Sequence, residues 1–234
     1  GDDSGNHFEV YWFGFLESSE YAWSSKTPET IDEYWKKYVY RFFGPGNEEL
    51  IPAFYNLAER VPFWDGSLMK KGNKRRKGYQ HIDLPNLTSL PEEGSWLQHF
   101  QPLLATARQE KTRCADATAT LKQHIGTAKD NAYNLEVFAS MGEFMEAYAD
   151  LVLSIEHIAG YCDKQIAASK TSTKLDESEY SKMVEKVETA WNGYVDTYKE
   201  LEVLWEKSRY PKGGEGYMLN DQTAYMAGRT ADLS

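Results

Sequence analysis

The chain has 234 residues, with 36 Asp and Glu against 26 Lys and Arg, which gives a formal charge of −10. This acidity argues against nucleic acid as the main partner. The mean hydropathy is −0.65, and the absence of an apolar run near about 18 residues excludes a transmembrane helix. The length suits one or two ordinary domains.

Aromatic residues make up 14% of the chain, and they are unevenly distributed. Residues 8–64 hold 17 of the 33 Phe, Trp and Tyr side chains. We therefore divide the chain into an aromatic-rich segment, 1–95, and a second domain, 96–234, with the composition of a helical bundle and an irregular tail.

The aromatic-rich segment is predicted to contain one strand followed by two helices. Residues 8–16 are short and almost continuously apolar, as expected for a strand buried on both faces. Thr27-Pro28-Glu29 is a favourable helix start, and Gly44-Pro45-Gly46 ends that helix. A second helix is predicted from Glu48 to about Arg60.

An irregular stretch with a strongly basic run follows. Between Lys70 and Lys77 there are six positive charges and no negative one. Such a run favours an exposed loop within 66–80, while a site for a polyanion is the alternative.

Three long amphipathic patterns fill most of the second domain, at about 96–126, 130–169 and 177–208. Their apolar residues recur at steps of three and four. Because short polar links join these patterns, we expect an antiparallel three-helix bundle. The fold class is therefore mainly α, with a short strand–helix–helix segment before the bundle.

Few groups in the sequence suggest catalysis. Adjacent carboxylates such as Asp32-Glu33 could serve acid–base chemistry, but most lie near predicted helix starts, where the helix dipole favours acids. The five histidines lack metal-ligand spacing, so no metal and no cofactor are predicted. Cys114 and Cys162 lie on apolar helix faces and are expected in the core.

Trp12, Glu17 and Trp23 are the candidate substrate-binding residues. Trp and Tyr rings can stack on the apolar face of a sugar, while their polar groups and nearby acids bind hydroxyls. The alternative is that these aromatic side chains are core residues that join the strand to its helix.

Residues 11–24 and the helix that ends at Arg41-Phe42-Phe43-Gly44 resemble the end of a glycosidase barrel. The similarity is to bacterial β-N-acetylhexosaminidase-like enzymes of glycoside hydrolase family 20, and less closely to family 84. Glu20-Tyr21-Ala22-Trp23 partly matches the Ala-Glu-x-x-Trp pattern of family 20. The catalytic Asp-Glu pair of that family has no counterpart here, because Asp32-Glu33 and Asp176-Glu177 both fall in helical patterns.

The resemblance implies the C-terminal, non-catalytic helical region of a bacterial exo-glycosidase. Its partners would be the N-terminal catalytic part of the same parent chain and a glycan, and it would support the barrel beside the sugar cleft. A secreted or periplasmic location follows from that role, although residues 1–5 are not a signal peptide. The alternative is a self-sufficient helical binding or scaffold module without enzymatic activity.

Overall fold

A computed structural model describes residues 8–23, 30–68, 81–88, 91, 94–173 and 177–207. These residues form a short 3-10 helix, Phe8–Tyr11, and six α-helices. The helices are α1 (Trp12–Trp23), α2 (Ile31–Phe43), α3 (Leu50–Gly66), α4 (Trp96–Ile125), α5 (Ala132–Lys170) and α6 (Glu177–Glu206). The predicted mainly α class is confirmed. The basic run at 70–77 and the tail from residue 208 lie outside the described residues.

The three long helices are confirmed, and their observed ends lie within two residues of the predicted ones. The start of α4 shows why its boundary is sharp. Ser95 Oγ accepts a hydrogen bond from the Gln98 amide at 3.3 Å, while Gln98 Oε1 accepts one from the Ser95 amide at 3.1 Å. This reciprocal capping satisfies backbone donors that the first helical turn leaves unpaired.

The chain divides into two compact units. Unit 1 comprises residues 1–55, 116–142 and 197–234, and unit 2 comprises residues 56–115 and 143–196. Each of α3, α4, α5 and α6 contributes one part of its length to each unit. The predicted domain division at residue 95 stays a prediction.

In unit 2, α4 and α5 run antiparallel. Arg108 pairs with Glu156 at 2.7 Å, and Lys111 pairs with Asp150 at 2.7 Å. Residue numbers thus rise along α4 as they fall along α5, which is the direction predicted for the bundle.

The α5 and α6 segments of unit 2 are also antiparallel. Lys164 pairs with Glu179 at 2.6 Å, and the rings of Phe144 and Tyr194 lie 5.0 Å apart. Within unit 2, therefore, both helix pairs follow the predicted bundle packing.

The end of α3 adds a fourth helical segment to unit 2. The ring of Trp64 lies 6.1 Å from that of Phe144 in an edge-on arrangement, and Ser67 Oγ lies 3.0 Å from the hydroxyl of Tyr148. The sequence analysis places this helix in the aromatic-rich segment and does not predict its packing on α5.

The predicted strand at 8–16 is wrong, because these residues form the 3-10 helix and the start of α1. A short apolar run does not by itself distinguish a buried strand from a helix. A strand in this position would bury both faces, whereas Phe15 and Leu16 are each about two-fifths exposed. The two helices predicted next are present as α2 and α3, but α2 is capped by Thr30 and not by Thr27.

The turn after α2 is fixed by side chains and backbone of unit 1. Buried Asn47 donates through Nδ2 to the carbonyls of Phe43 and Gly44, at 3.2 and 3.1 Å. Its Oδ1 lies 2.8 Å from His124 Nδ1, which donates because Oδ1 is an acceptor only. The Lys129 amide also donates to the Phe43 carbonyl at 2.8 Å. These bonds use carbonyls that the end of α2 would otherwise leave unpaired.

Candidate interaction surface

Three rings of unit 1 surround the side chain of Phe13, and we name Tyr34, Trp35 and Tyr38 the aromatic slot. Phe13 stacks on Trp35 with ring centroids 3.8 Å apart and planes 18° apart. Tyr34 and Tyr38 meet Phe13 edge-on at 5.3 and 5.2 Å. Stacked and edge-on pairs are the favoured arrangements of aromatic rings. Phe13 is thus the anchor that docks α1 onto α2.

The slot follows from the sequence of α2. Tyr34 and Tyr38 are four residues apart, so they lie on the same face of the helix, with Trp35 beside them. Trp35 is supported from behind by Phe54 of α3, whose ring is stacked at 5.6 Å. The slot is therefore packed against a second helix of unit 1.

Burial keeps both tyrosines of the slot in their neutral form. It raises the pKa of Tyr34 to about 12, with smaller contributions from the negative charges of Glu20 and Glu17. The pKa of Tyr38 is raised further by burial, and Glu9 adds to that effect. Phe13 therefore meets uncharged rings even above the ordinary tyrosine pKa of 10.0.

The 3-10 helix and α1 together form one helical segment, residues 8–23, and a polar contact holds it near each end. Asn134, which is fully buried, donates through Nδ2 to the Glu9 carbonyl at 2.8 Å and to Glu9 Oε2 at 3.1 Å. Near the other end, Lys37 Nζ lies 3.4 Å from Glu20 Oε1 in an exposed ion pair. An exposed pair of this kind contributes little stability, so it adds little to the contacts that Phe13, Glu9 and Trp12 make.

The remaining surface of α1 is unusually apolar. None of its 12 residues is buried. Four large apolar side chains of α1 are exposed, and Trp23 is 90% exposed. We name these side chains the α1 surface: Phe15, Leu16 and Trp23 lie within about 100° of one another around the helix, and Tyr21 is turned by at least about 120° from each of them. Large exposed apolar groups concentrated on one element are typical of a site that contacts another molecule.

The predicted sugar-binding residues all lie on α1, but they do not converge. Trp12 is half-buried with its ring 6.2 Å from that of Phe42, whereas Trp23 projects into solvent. The two tryptophans are 11 positions apart, which corresponds to about 16 Å along a helix axis. Glu17 is turned by roughly 140° from Trp12 around the helix. Their binding role stays a prediction, and the helix does not assemble them into one platform.

Several other polar groups hold the helices together. Asp163 of α5 accepts hydrogen bonds from the amides of Trp96 and Leu97 at 2.8 and 3.0 Å. A carboxylate in this position satisfies and stabilises the N-terminus of α4. The sequence analysis did not identify Asp163, because its hydrogen-bond partners are distant in sequence and no local pattern marks it.

A buried ion pair lies in the core of unit 2. Arg60 Nε is 2.9 Å from Glu110 Oε2, although the pair lacks hydrogen-bond geometry. Arg60 Nη2 also contacts the exposed Glu59 at 2.9 Å. Cys114 is buried nearby, and burial, together with the charge of Glu110, raises the pKa of its thiol to about 12. The prediction that both cysteines are core residues is confirmed.

Within the described ranges, no three His, Cys, Asp or Glu side chains come together as a metal-binding group. Among the described helices, none has the length and the apolar composition that spanning a bilayer requires.

No protein-family model, curated protein or solved structure matches this chain. The glycosidase resemblance therefore rests on the residues quoted for it.

Proposed function

We propose that the chain is a helical binding module that acts through the α1 surface and carries out no catalysis of its own. One observation carries the proposal: α1 is docked through Phe13, yet it keeps four large apolar side chains in solvent. Since exposing such groups lowers solubility without stabilising the fold, a partner that covers them explains their presence.

The distribution of exposed apolar side chains supports this choice of surface. Four of the twelve large apolar side chains that are exposed in the described residues lie on α1, and the most exposed of them is Trp23. By contrast, the 30-residue helix α6 carries two, Tyr180 and Val203. Trp and Tyr are also the residues that most often dominate the binding energy of an interface.

The glycosidase function stays a prediction with less support. Its motivating feature was a buried strand at the end of a barrel, and residues 8–16 are helical instead. An assay with a chromogenic N-acetylglucosaminide tests it directly. Turnover by this chain alone would refute the non-catalytic part of our proposal.

Selection of binding peptides from a random display library tests the binding role. Wild-type protein is the bait, and the affinity of each selected peptide is then measured for the wild type and for the double variant Leu16→Ser/Trp23→Ser. We expect apolar peptides whose affinity for the double variant is lower by at least about tenfold, a difference of ~1.4 kcal/mol. The matched control is Tyr180→Ser/Val203→Ser, which removes two exposed apolar side chains elsewhere.

The control variant should bind the selected peptides like the wild type. Circular dichroism should show unchanged helix content in both double variants, because every substituted side chain is exposed. Peptides that bind all three proteins equally would show that the α1 surface is not a binding site, and the proposal would then be wrong.

A further inference from the structure

The aromatic slot is occupied by a ring from an element that has no buried residue of its own. The Phe13 ring enters a slot built entirely from α2, while no residue of α1 is buried. Elements with few buried apolar groups are the first to open in local unfolding. α1 can therefore leave the slot without unfolding the long helices.

Asn134 of α5 extends the slot on the side where Glu9 lies. Glu9 is about one helical turn before Phe13 in the segment 8–23. Its charge also contributes to the raised pKa of Tyr38, which places the carboxylate near that ring of the slot. The Asn134 amide and the three rings around Phe13 therefore belong to one continuous contact with residues 8–23.

This contact uses only the donor half of the Asn134 amide. Nδ2 donates to the Glu9 carbonyl at 2.8 Å and to Glu9 Oε2 at 3.1 Å. Oδ1 is buried and accepts no hydrogen bond from the part of the chain that the structure describes. Because a buried acceptor without a donor is destabilising, residues 8–23 leave one requirement of the site unmet.

A side-chain amide with both halves in use is complementary to an extended peptide. Its Nδ2 donates to a backbone carbonyl, and its Oδ1 accepts from a backbone N–H. Residues 8–23 supply the carbonyl of Glu9, but none of their amides reaches Asn134 Oδ1. An extended segment presents carbonyls and N–H groups side by side along one edge, as it does when it pairs with a strand.

We propose that the aromatic slot and Asn134 form a binding site for an extended, phenylalanine-containing segment of another protein, and that α1 occupies this site until the segment binds. The ligand ring replaces that of Phe13, and a ligand carbonyl replaces that of Glu9. A ligand amide donates to Asn134 Oδ1, which is the contact that residues 8–23 do not make. The site faces the docked side of α1, whereas the α1 surface faces solvent, so the inference goes beyond the proposed function.

The variant Phe13→Ala tests whether the slot accepts a ring from another molecule. The bait is the full chain with this substitution, and the probe is a display library of short peptides with one fixed phenylalanine. Because α1 competes for the site, the selected peptides should bind Phe13→Ala at least about tenfold more tightly than they bind the wild type. The matched control, Phe15→Ala, removes an exposed ring from the same helix and should bind them like the wild type.

Methylation of single backbone amides in a selected peptide tests the bond to Asn134. At one position, loss of the N–H donor should weaken binding to Phe13→Ala by at least about tenfold. In the double variant Phe13→Ala/Asn134→Leu, the methylated and unmethylated peptides should bind equally, because the acceptor is absent. Circular dichroism should show unchanged content of the long helices in each variant, and the methylation scan itself needs only Phe13→Ala.

Three results would overturn the inference. The first is a library that yields no peptide for Phe13→Ala, and the second is a set of peptides that bind Phe13→Ala, Phe15→Ala and the wild type equally. The third is a methylation scan in which no single position weakens binding, since Asn134 Oδ1 would then take no part.

The outcome is separable from that of the proposed function. Peptides that occupy the slot should bind Phe13→Ala equally well when Leu16→Ser and Trp23→Ser are added, because neither side chain belongs to the slot. If these peptides bind while the α1 surface selects none, the proposed function is wrong and the slot site stands. If only the α1 surface binds peptides, the slot site is wrong and the proposed function stands.

Discussion

α1 in unit 1 and the start of α4 in unit 2 differ in how much of their apolar surface is buried. Seven of the 12 residues of α1 are Trp, Phe, Tyr, Leu or Ala, yet none of them is buried. α4 is far more polar, and still Trp96, Phe100 and Leu104 near its start are almost fully buried. The spacing of apolar residues therefore determines burial more than their number does, because only one stripe of a helix can face a core.

The polar contacts of the two helices differ in the same way. The N-terminus of α4 is capped by Asp163, which comes from another helix of unit 2 and accepts two amide hydrogen bonds. α1 has the exposed pair of Glu20 and Lys37 near its C-terminal end. We expect substitutions in unit 2 to affect the free energy of unfolding of the whole fold, and those at α1 to affect local opening.

The largest effect is expected in the core of unit 2. Glu110→Ala leaves the buried Arg60 guanidinium with only the exposed Glu59 as a charged partner. We expect the free energy of unfolding to fall by about 3 kcal/mol, since removing one partner of a buried pair leaves an uncompensated charge. Urea denaturation measures it.

The control is Glu156→Ala, which removes an exposed ion pair with Arg108 on the same helix pair. Its expected cost is below about 1 kcal/mol. If both substitutions cost the same, the Arg60–Glu110 pair is not a significant part of the core.

Phe13→Ala is expected to have the next largest effect, but a local one. It removes the ring from the aromatic slot and should cost about 2 kcal/mol, below the usual value for a fully buried Phe because Phe13 is half-buried. Hydrogen exchange should show faster amide exchange in α1 and unchanged exchange in α5. If amide exchange became faster to the same extent in α1 and α5, the effect of Phe13 on stability would not be local to α1.

A further effect, confined to alkaline pH, is expected from the slot tyrosine Tyr34. The pKa of Tyr34 is about 12 in the folded protein against an ordinary value of 10.0. Between these values the unfolded chain has lost its proton while the folded chain retains it, so the stability falls as the pH rises from 10 to 12. Tyr34→Phe keeps the ring and should make this fall less steep.

Urea denaturation of both proteins at intervals across that pH range measures the difference. Tyr180→Phe changes an exposed tyrosine and should leave the slope as in the wild type. If the free energy of unfolding of Tyr34→Phe falls with pH as steeply as that of the wild type, burial of this hydroxyl does not influence the stability.

The smallest effects are expected from two exposed glycines, Gly14 on the short helix α1 and Gly193 on the long helix α6. An added Cβ meets nothing within 4 Å at Gly14 of α1 or at Gly193 of α6. Each change to Ala should stabilise its helix by roughly 0.5–1 kcal/mol, because Gly is the poorer helix former. Hydrogen exchange should locate the gain of Gly14→Ala in α1 alone, and urea denaturation should detect that of Gly193→Ala. A loss of stability at either position would contradict the open surroundings of that glycine.

The sequence alone was sufficient for α4, α5 and α6. Apolar residues at steps of three and four persist over many turns, which defines both the element and its buried face. The same regularity made Cys114 and Cys162 recognisable as core residues. Local rules also explain the capping of α4 by Ser95 and Gln98, since both partners lie within one turn.

Tertiary structure decided the features that depend on residues distant in sequence. Residues 8–16 carry no period that separates strand from helix, and their conformation depends on the docking of Phe13 between the rings of α2. Asp163 and Arg60 have partners 67 and 50 positions away, respectively, at Trp96 and Glu110. Local periodicity thus determines long amphipathic helices, whereas the conformation of α1, the exposure of its surface and the buried ion pair depend on packing between segments that no short stretch of sequence encodes.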